Sequence, residues 1–151
     1  MRKVLFTLFT VVLMVGFMAC EDDGVDAKQD VFQCKVDGTE FKVEGVLAYG
    51  VKFSDTFNAY GVDADGNTMY ISFANSLGEG THTFNGQNTF ALYVKEDGSS
   101  FDSRNNGGTG TATITEKTET SLKGTFSYKA PADSGSGVID VTEGSFNVVF
   151  R

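Results

Sequence analysis

Residues 109–115 read Thr-Gly-Thr-Ala-Thr-Ile-Thr, residues 122–129 read Leu-Lys-Gly-Thr-Phe-Ser-Tyr-Lys, and residues 145–150 read Ser-Phe-Asn-Val-Val-Phe. In the first stretch Ala112 and Ile114 share one face, while Thr111, Thr113 and Thr115 share the other. In the second, Leu122, Phe126 and Tyr128 oppose Lys123, Thr125, Ser127 and Lys129. In the third, Phe146, Val148 and Phe150 oppose Ser145 and Asn147. Alternation with a period of two places side chains on opposite faces of an extended chain, so each stretch is a strand with one apolar and one wet face. Strands of that kind belong to antiparallel sheets that cover a core on one side only.

The same pattern extends outward in both directions. Strand-like runs lie near 31–36, 40–53, 56–63, 68–74, 80–84, 88–95, 109–117, 121–129 and 138–150. Between them fall Asp37-Gly38, Asp65-Gly66-Asn67, Asn85-Gly86, Asp97-Gly98 and Asn105-Asn106-Gly107-Gly108, residues that tolerate the positive φ of tight turns. No helical periodicity competes with them. The expectation is an all-β fold: a single antiparallel β-sandwich or β-barrel of about nine to ten strands over residues 31–151. The residues themselves leave sandwich and barrel open.

Two runs are apolar on both faces. Phe90, Leu92 and Val94 oppose Ala91 and Tyr93; Met69, Ile71 and Phe73 oppose Tyr70 and Ser72. Such a strand is expected at the centre of a covered sheet. Otherwise its second face meets a pocket or a partner, where tyrosine offers apolar area with a polar tip. Tyr70 and Tyr93 are on that ground candidate ligand-binding residues.

The chain begins as an export signal. Arg2 and Lys3 precede an apolar run from Val4 to Phe17, and Met18-Ala19-Cys20 closes it. The run is shorter than the roughly 20 residues a spanning helix needs, and acidic residues follow at once. The segment resembles a lipobox, in which a small residue precedes a thiol that receives a diacylglyceryl group; Phe17 stands where leucine is usual. Residues 1–19 are thus expected to be a lipoprotein signal peptide, Cys20 the lipidation site, and residues 20–30 an acidic tether opening with Glu21-Asp22-Asp23. That acidic run also resembles the surface-export signal of Bacteroidota lipoproteins, which implies an outer-membrane protein facing outward.

Processing removes two of the 12 basic residues and none of the 20 acidic ones, leaving 10 against 20 and a net charge of −10. With no basic cluster the chain is not expected to bind nucleic acid, and its membrane link is the N-terminal lipid alone. Lipidation of Cys20 leaves Cys34 as a lone thiol, without a partner for a disulfide. Cys34 shares an apolar face with Phe32 and Val36 and is expected to be a small buried hydrophobe.

A family resemblance comes from these residues. Val36-Asp37-Gly38-Thr39-Glu40-Phe41 is similar to the "VDG-x-x-F" opening of small Bacteroidota lipoprotein domains of unknown function. Gly78-Glu79-Gly80-Thr81-His82-Thr83-Phe84 is similar to their central "G-x-G-T-Y-T" strand, and 108–115, 123–127 and 144–148 to their closing strands. The resemblance implies a lipid-anchored all-β domain and carries no catalytic or binding residue with it.

Chemistry has little to build on. His82 is the single histidine and shares a face with Phe84, as a structural imidazole would. No G-x-S-x-G elbow accompanies it, and zinc would lack ligands. Asp63, Asp65 and Asn67 place oxygens at alternate positions before a turn, like the first half of a calcium loop, and are the one metal candidate; the distal bidentate glutamate is missing. A β-turn explains the same residues. No cofactor is expected. The expected function is a non-catalytic binding or interaction module of the envelope, recognising a glycan, a small apolar molecule or an envelope protein. The alternatives are a structural or accessory subunit of an envelope complex and a carboxylate-based hydrolase.

Overall fold

In a computed structural model of the chain, residues 30–151 are described; the expectations for the signal peptide, for Cys20 and for the tether up to Gln29 lie outside these residues. Eleven strands form two antiparallel sheets. They are β1 (Val31–Val36), β2 (Thr39–Glu44), β3 (Ala48–Lys52), β4 (Thr56–Val62), β5 (Thr68–Ala74), β6 (Gly80–Thr83), β7 (Thr89–Val94), β8 (Ser100–Asp102), β9 (Thr109–Lys117), β10 (Ser121–Pro131) and β11 (Val138–Val149). One sheet has the order β2-β1-β11-β10-β9-β6 and the other β3-β4-β5-β7-β8. The inner faces pack against each other, so the fold is a sandwich.

The alternation read from the sequence decides which side chains fill it. Strand β10 is buried at every second residue from Leu122 to Ala130, and its lysines, Thr125 and Ser127 face water. From the six-stranded sheet come Phe32, Phe126, Ile114 and Phe146; from the five-stranded sheet come Phe57, Phe73, Met69 and Ile71. Phe32 packs on Phe126 with ring centroids 5.2 Å apart, and Phe146 meets Phe73 across the sheets at 6.1 Å. Rings this large fit because glycine lies beneath them. In the β10–β11 register Gly124 pairs with Phe146 and Phe126 with Gly144. A methyl group on Gly124 would come within 2.2 Å of the Thr113 carbonyl oxygen and 2.6 Å of the Phe146 ring. Across the sandwich, one on Gly61 would come within 2.9 Å of Phe32.

Two differences from the sequence reading have local causes. The predicted strand 40–53 is two strands, because Gly45 takes φ +68° and opens a single 3-10 turn, Gly45–Leu47. That turn carries the chain from one sheet to the other. Strand β8, only three residues long, is too short to show alternation. With these the count is 11, slightly above expectation. The five-stranded sheet is stitched at both edges to residues just past the ends of β11 and β10. The Gly50 carbonyl accepts the Arg151 N–H at 3.0 Å, and the Ser100 carbonyl accepts the Asp133 N–H at 2.9 Å.

Cys34 lies in the core, 4% exposed, with Sγ 3.6 Å from the Met69 sulfur. Burial pushes its thiol up to about 12.

Two outcomes test this packing. Gly124→Ala forces a methyl group into backbone and ring together and is expected to cost about 1–3 kcal/mol in urea unfolding. Thr125→Ala next to it should cost about 0.5 kcal/mol or less. For Cys34, a thiol reagent at about pH 8 should label the unfolded chain and leave the native one unmodified over the same time. Because the folded pKa is raised, the native thiol keeps its proton where an unfolded one, at about 8.5, has lost it. Its contribution to stability therefore declines as pH rises through the interval from there to about 12. Labelling of native Cys34 at the unfolded rate would contradict the burial.

Candidate interaction face

The outer face of the five-stranded sheet carries a row of aromatic rings. Register aligns Tyr49 with Tyr60, Tyr60 with Tyr70, and Tyr70 with Leu92. Directly paired side chains on neighbouring strands lie close enough for rings to stack. Tyr49 and Tyr60 have centroids 5.2 Å apart and an interplanar angle of 10°; Tyr60 and Tyr70 have 5.0 Å and 28°. Phe90 then meets Tyr70 edge-on at 5.8 Å. A guanidinium closes each end: Arg104 lies 4.1 Å over Phe90, and Arg151 lies 5.9 Å from the Tyr49 ring. These are both of the arginines among the described residues.

Charge separates this face from the rest of the surface. Its strand positions are Tyr49 and Val51, Asn58, Tyr60 and Val62, Thr68, Tyr70 and Ser72, Phe90, Leu92 and Val94, none of them ionic at neutral pH. On β8 it adds Asp102, which is 5% exposed and holds Arg104 through Nε at 2.8 Å and Nη2 at 2.5 Å. That bond raises the Arg104 pKa. Arg151 is likewise tied, by Nη2 to the Asp30 carboxylate at 2.8 Å. Burial among the rings raises the phenol pKa of Tyr60 and of Tyr70, so both stay neutral. The outer face of the six-stranded sheet is of another kind. It is hydroxylic and charged, with Lys35–Glu143 and Lys42–Glu44 ion pairs, and holds an open groove of about 430 Å³ walled by Thr111, Thr113, Thr125 and Ser127.

Both-sided strands were expected mainly in a covered sheet. Among the described residues, β4 and β7 contact β1, β2, β10 and the 3-10 turn outside their own sheet, and on the outer face Asn58 and Ser72 are buried, at 4% and 3% exposed, beside the half-buried rings. The row's side chains are half-buried.

The two tyrosines singled out from the sequence separate. Tyr70 is in the row. Tyr93 points the other way, 7% exposed and edge-on to Phe41 at 6.1 Å, and closes one margin of the core. Asp63, Asp65 and Asn67 form the β4–β5 turn. One Asp63 carboxylate oxygen accepts the Asp65 and Asn67 N–H groups at 3.0 and 2.8 Å, and the other accepts the Asn67 side-chain amide at 2.7 Å. The Asn67 side-chain oxygen accepts the Glu96 N–H at 3.1 Å. These bonds account for the oxygen pattern as turn chemistry. Among the described residues no group of three or more His, Cys, Asp or Glu side chains is placed to hold a metal ion. Tyr93 and the turn line an open cleft of about 330 Å³ shared with Asp37, Glu40 and Lys95. His82 bonds the Gly78 carbonyl at 2.9 Å and meets Phe73 edge-on.

Tyr49, Tyr60, Arg104 and Arg151 were not singled out from the sequence. The available signal was a tyrosine at a strand-like position in three successive runs; which of them share a face depends on cross-strand register, and that is set by distant residues. No curated protein and no solved structure matches the chain. A family model does: over residues 28–149 the chain matches a domain of unknown function, DUF6252, and it belongs to that family.

Proposed function

We propose that this chain is a lipid-anchored cell-envelope protein, exported on residues 1–19, lipidated at Cys20 and tethered through residues 20–30, whose sandwich is a non-catalytic interaction module for another envelope protein. The lipobox-like Ala19-Cys20 and the acidic residues behind it support the anchor, an outer-membrane location and an outward orientation. The resemblance to Bacteroidota lipoprotein domains supports a source in that phylum.

One observation carries the interaction reading: an outer sheet face with four aromatic rings in a row, no unpaired charge on its strands and an arginine at each end. The buried centres of protein interfaces are depleted of charge and enriched in tyrosine, phenylalanine and arginine. A small apolar molecule fits this architecture poorly. Fully buried Phe32, Phe57, Phe73 and Phe146 fill the interior, and a flat face does not enclose a ligand. A glycan fits less well than a protein, because the tyrosines turn their faces to one another and so do not offer them for a sugar ring to stack on. The non-catalytic reading is supported by the engagement of Asp102, Arg104, Asp63 and His82 in bonds that hold the fold.

The expected outcome concerns complexes in native membranes. Extracted in mild detergent, the wild-type protein should sediment above its monomer size, and Tyr60→Lys/Tyr70→Lys should sediment as the monomer. That pair places two charges at the centre of the face and should weaken association by at least roughly tenfold. Thr113→Lys, on the opposite sheet, should leave the complex intact, with near-ultraviolet circular dichroism confirming the fold of each variant. A monomeric wild type, or a complex that survives the tyrosine pair, overturns the reading. Tyrosine-dependent retardation of the purified wild type in polysaccharide-containing native gels would put a glycan in the protein partner's place.

A further inference from the structure

We infer that the corner where the tether enters the sandwich, built from the Gly45–Leu47 turn and Val149, rests on the lipid bilayer; this depends on the lipid anchor proposed above. Among the described residues the exposed large hydrophobic side chains are Val46 at 75%, Leu47 at 45%, Phe53 at 56%, Val138 at 59% and Val149 at 41%. Three of these five surround Asp30. The Asp30 carbonyl accepts the Gly45 N–H at 2.7 Å, and its carboxylate accepts the Val149 N–H at 2.8 Å. Arg151 joins them, donating to Asp30 at 2.8 Å and to the Val46 carbonyl at 2.9 Å. Asp30 is therefore fixed within this corner, and the chain toward Cys20 leaves from the most exposed apolar turn of the domain.

The bilayer is the occupant that position selects. From Cys20 to Asp30 the chain can span at most about 36 Å, so this corner is the part of the sandwich whose distance from the anchor the tether limits directly. Charge selects the same surface. The Asp30–Arg151 pair and the Lys42–Glu44 pair leave the corner close to neutral, with two-branched and leucine side chains outward. Shallow burial of Val46 and Leu47 in the headgroup boundary of a zwitterionic membrane removes apolar area from water without approaching anionic lipid, which the acidic chain would repel.

The placement also orients the aromatic row. Tyr49 follows Leu47 by two residues on β3, about 7 Å of strand rise. With the corner on the membrane, the row lies just above the headgroups and faces sideways, toward a partner resident in the same membrane.

The full-length lipidated protein tests this with one added cysteine at a time, since Cys20 is consumed by lipid and Cys34 is buried. Val46→Cys carries a polarity-sensitive fluorophore on the corner. Ser136→Cys carries it on the loop before β11, at the other end of that 12-residue strand from Val149. In vesicles of phosphatidylcholine containing a spin-labelled phosphatidylcholine, the Val46 site should be quenched at least about threefold more strongly than the Ser136 site. In a Val149→Cys protein, adding Leu47→Asp should reduce quenching at Val149. Equal quenching at Val46 and Ser136, with lipid mass present on Cys20, overturns the docking and leaves the anchor standing. Absence of lipid mass on Cys20 overturns the anchor and the docking together.

Discussion

Large rings over bare backbone set the thickness and the register of this sandwich. Phe146 lies over Gly124 and Phe126 over Gly144, each ring on the glycine directly opposite it in the β10–β11 ladder. Phe32 lies over Gly61 across the sandwich, and Phe150 over Gly50 at its edge, where a methyl group would come within 2.7 Å of the ring. A ring needs such a site because a close-packed interior does not absorb an extra carbon without displacing its neighbours. The interlock is directional. Slide β10 by one residue and Gly124 no longer faces Phe146, while every apolar side chain of the strand turns outward.

The outer row depends on the same constraint. Strand β4 turns Phe57, Ala59 and Gly61 inward and Asn58, Tyr60 and Val62 outward. Gly61 receives Phe32, so the strand's phase is fixed from inside the core. That phase sets Tyr60 between Tyr49 and Tyr70 on the outside. The rings of the aromatic face are thus positioned by core packing and by the ladder, while the loop after β8 supplies Arg104 at one end. Rigid aromatic side chains on a rigid sheet lose little conformational freedom when covered, which favours an interface over a mobile ligand-gripping loop.

Much of the fold was legible because alternation is local. The faces of β9, β10 and β11 follow from residue order alone, and so does the burial of Cys34 beside Phe32. The choice of sandwich over barrel was not legible, because it depends on where Gly45 breaks the run 40–53 and sends β3 to the second sheet. A glycine in a strand is ambiguous from sequence: Gly61 stays extended under a ring, whereas Gly45 turns the chain. The candidate face was half legible. Apolar residues on both sides of β5 and β7 marked the strands and brought Tyr70 forward. They brought Tyr93 forward equally, because alternation does not say which side is the core. Only contact with Phe41 and the β1–β2 side of the molecule decides that Tyr93 faces in.

Electrostatics joins the aromatic row to the tether corner. In a strongly acidic chain, unpaired carboxylates at either place would repel an acidic partner or an anionic membrane surface. Both places instead have their charge cancelled locally: Asp102 by Arg104 at one end of the row, Asp30 by Arg151 at the other. Arg151 belongs to both, since it lies by the Tyr49 ring and also bonds the Val46 carbonyl. A single side chain therefore links the end of the tether, the exposed apolar turn and the first ring of the row. On the membrane-docked reading, that link holds the aromatic face at one height and one tilt above the lipid. A flat face of five short strands is small for a lasting complex in free solution. Confined to a membrane with its orientation fixed, it meets a co-resident partner with much of the translational and rotational freedom already removed, and the same few rings suffice.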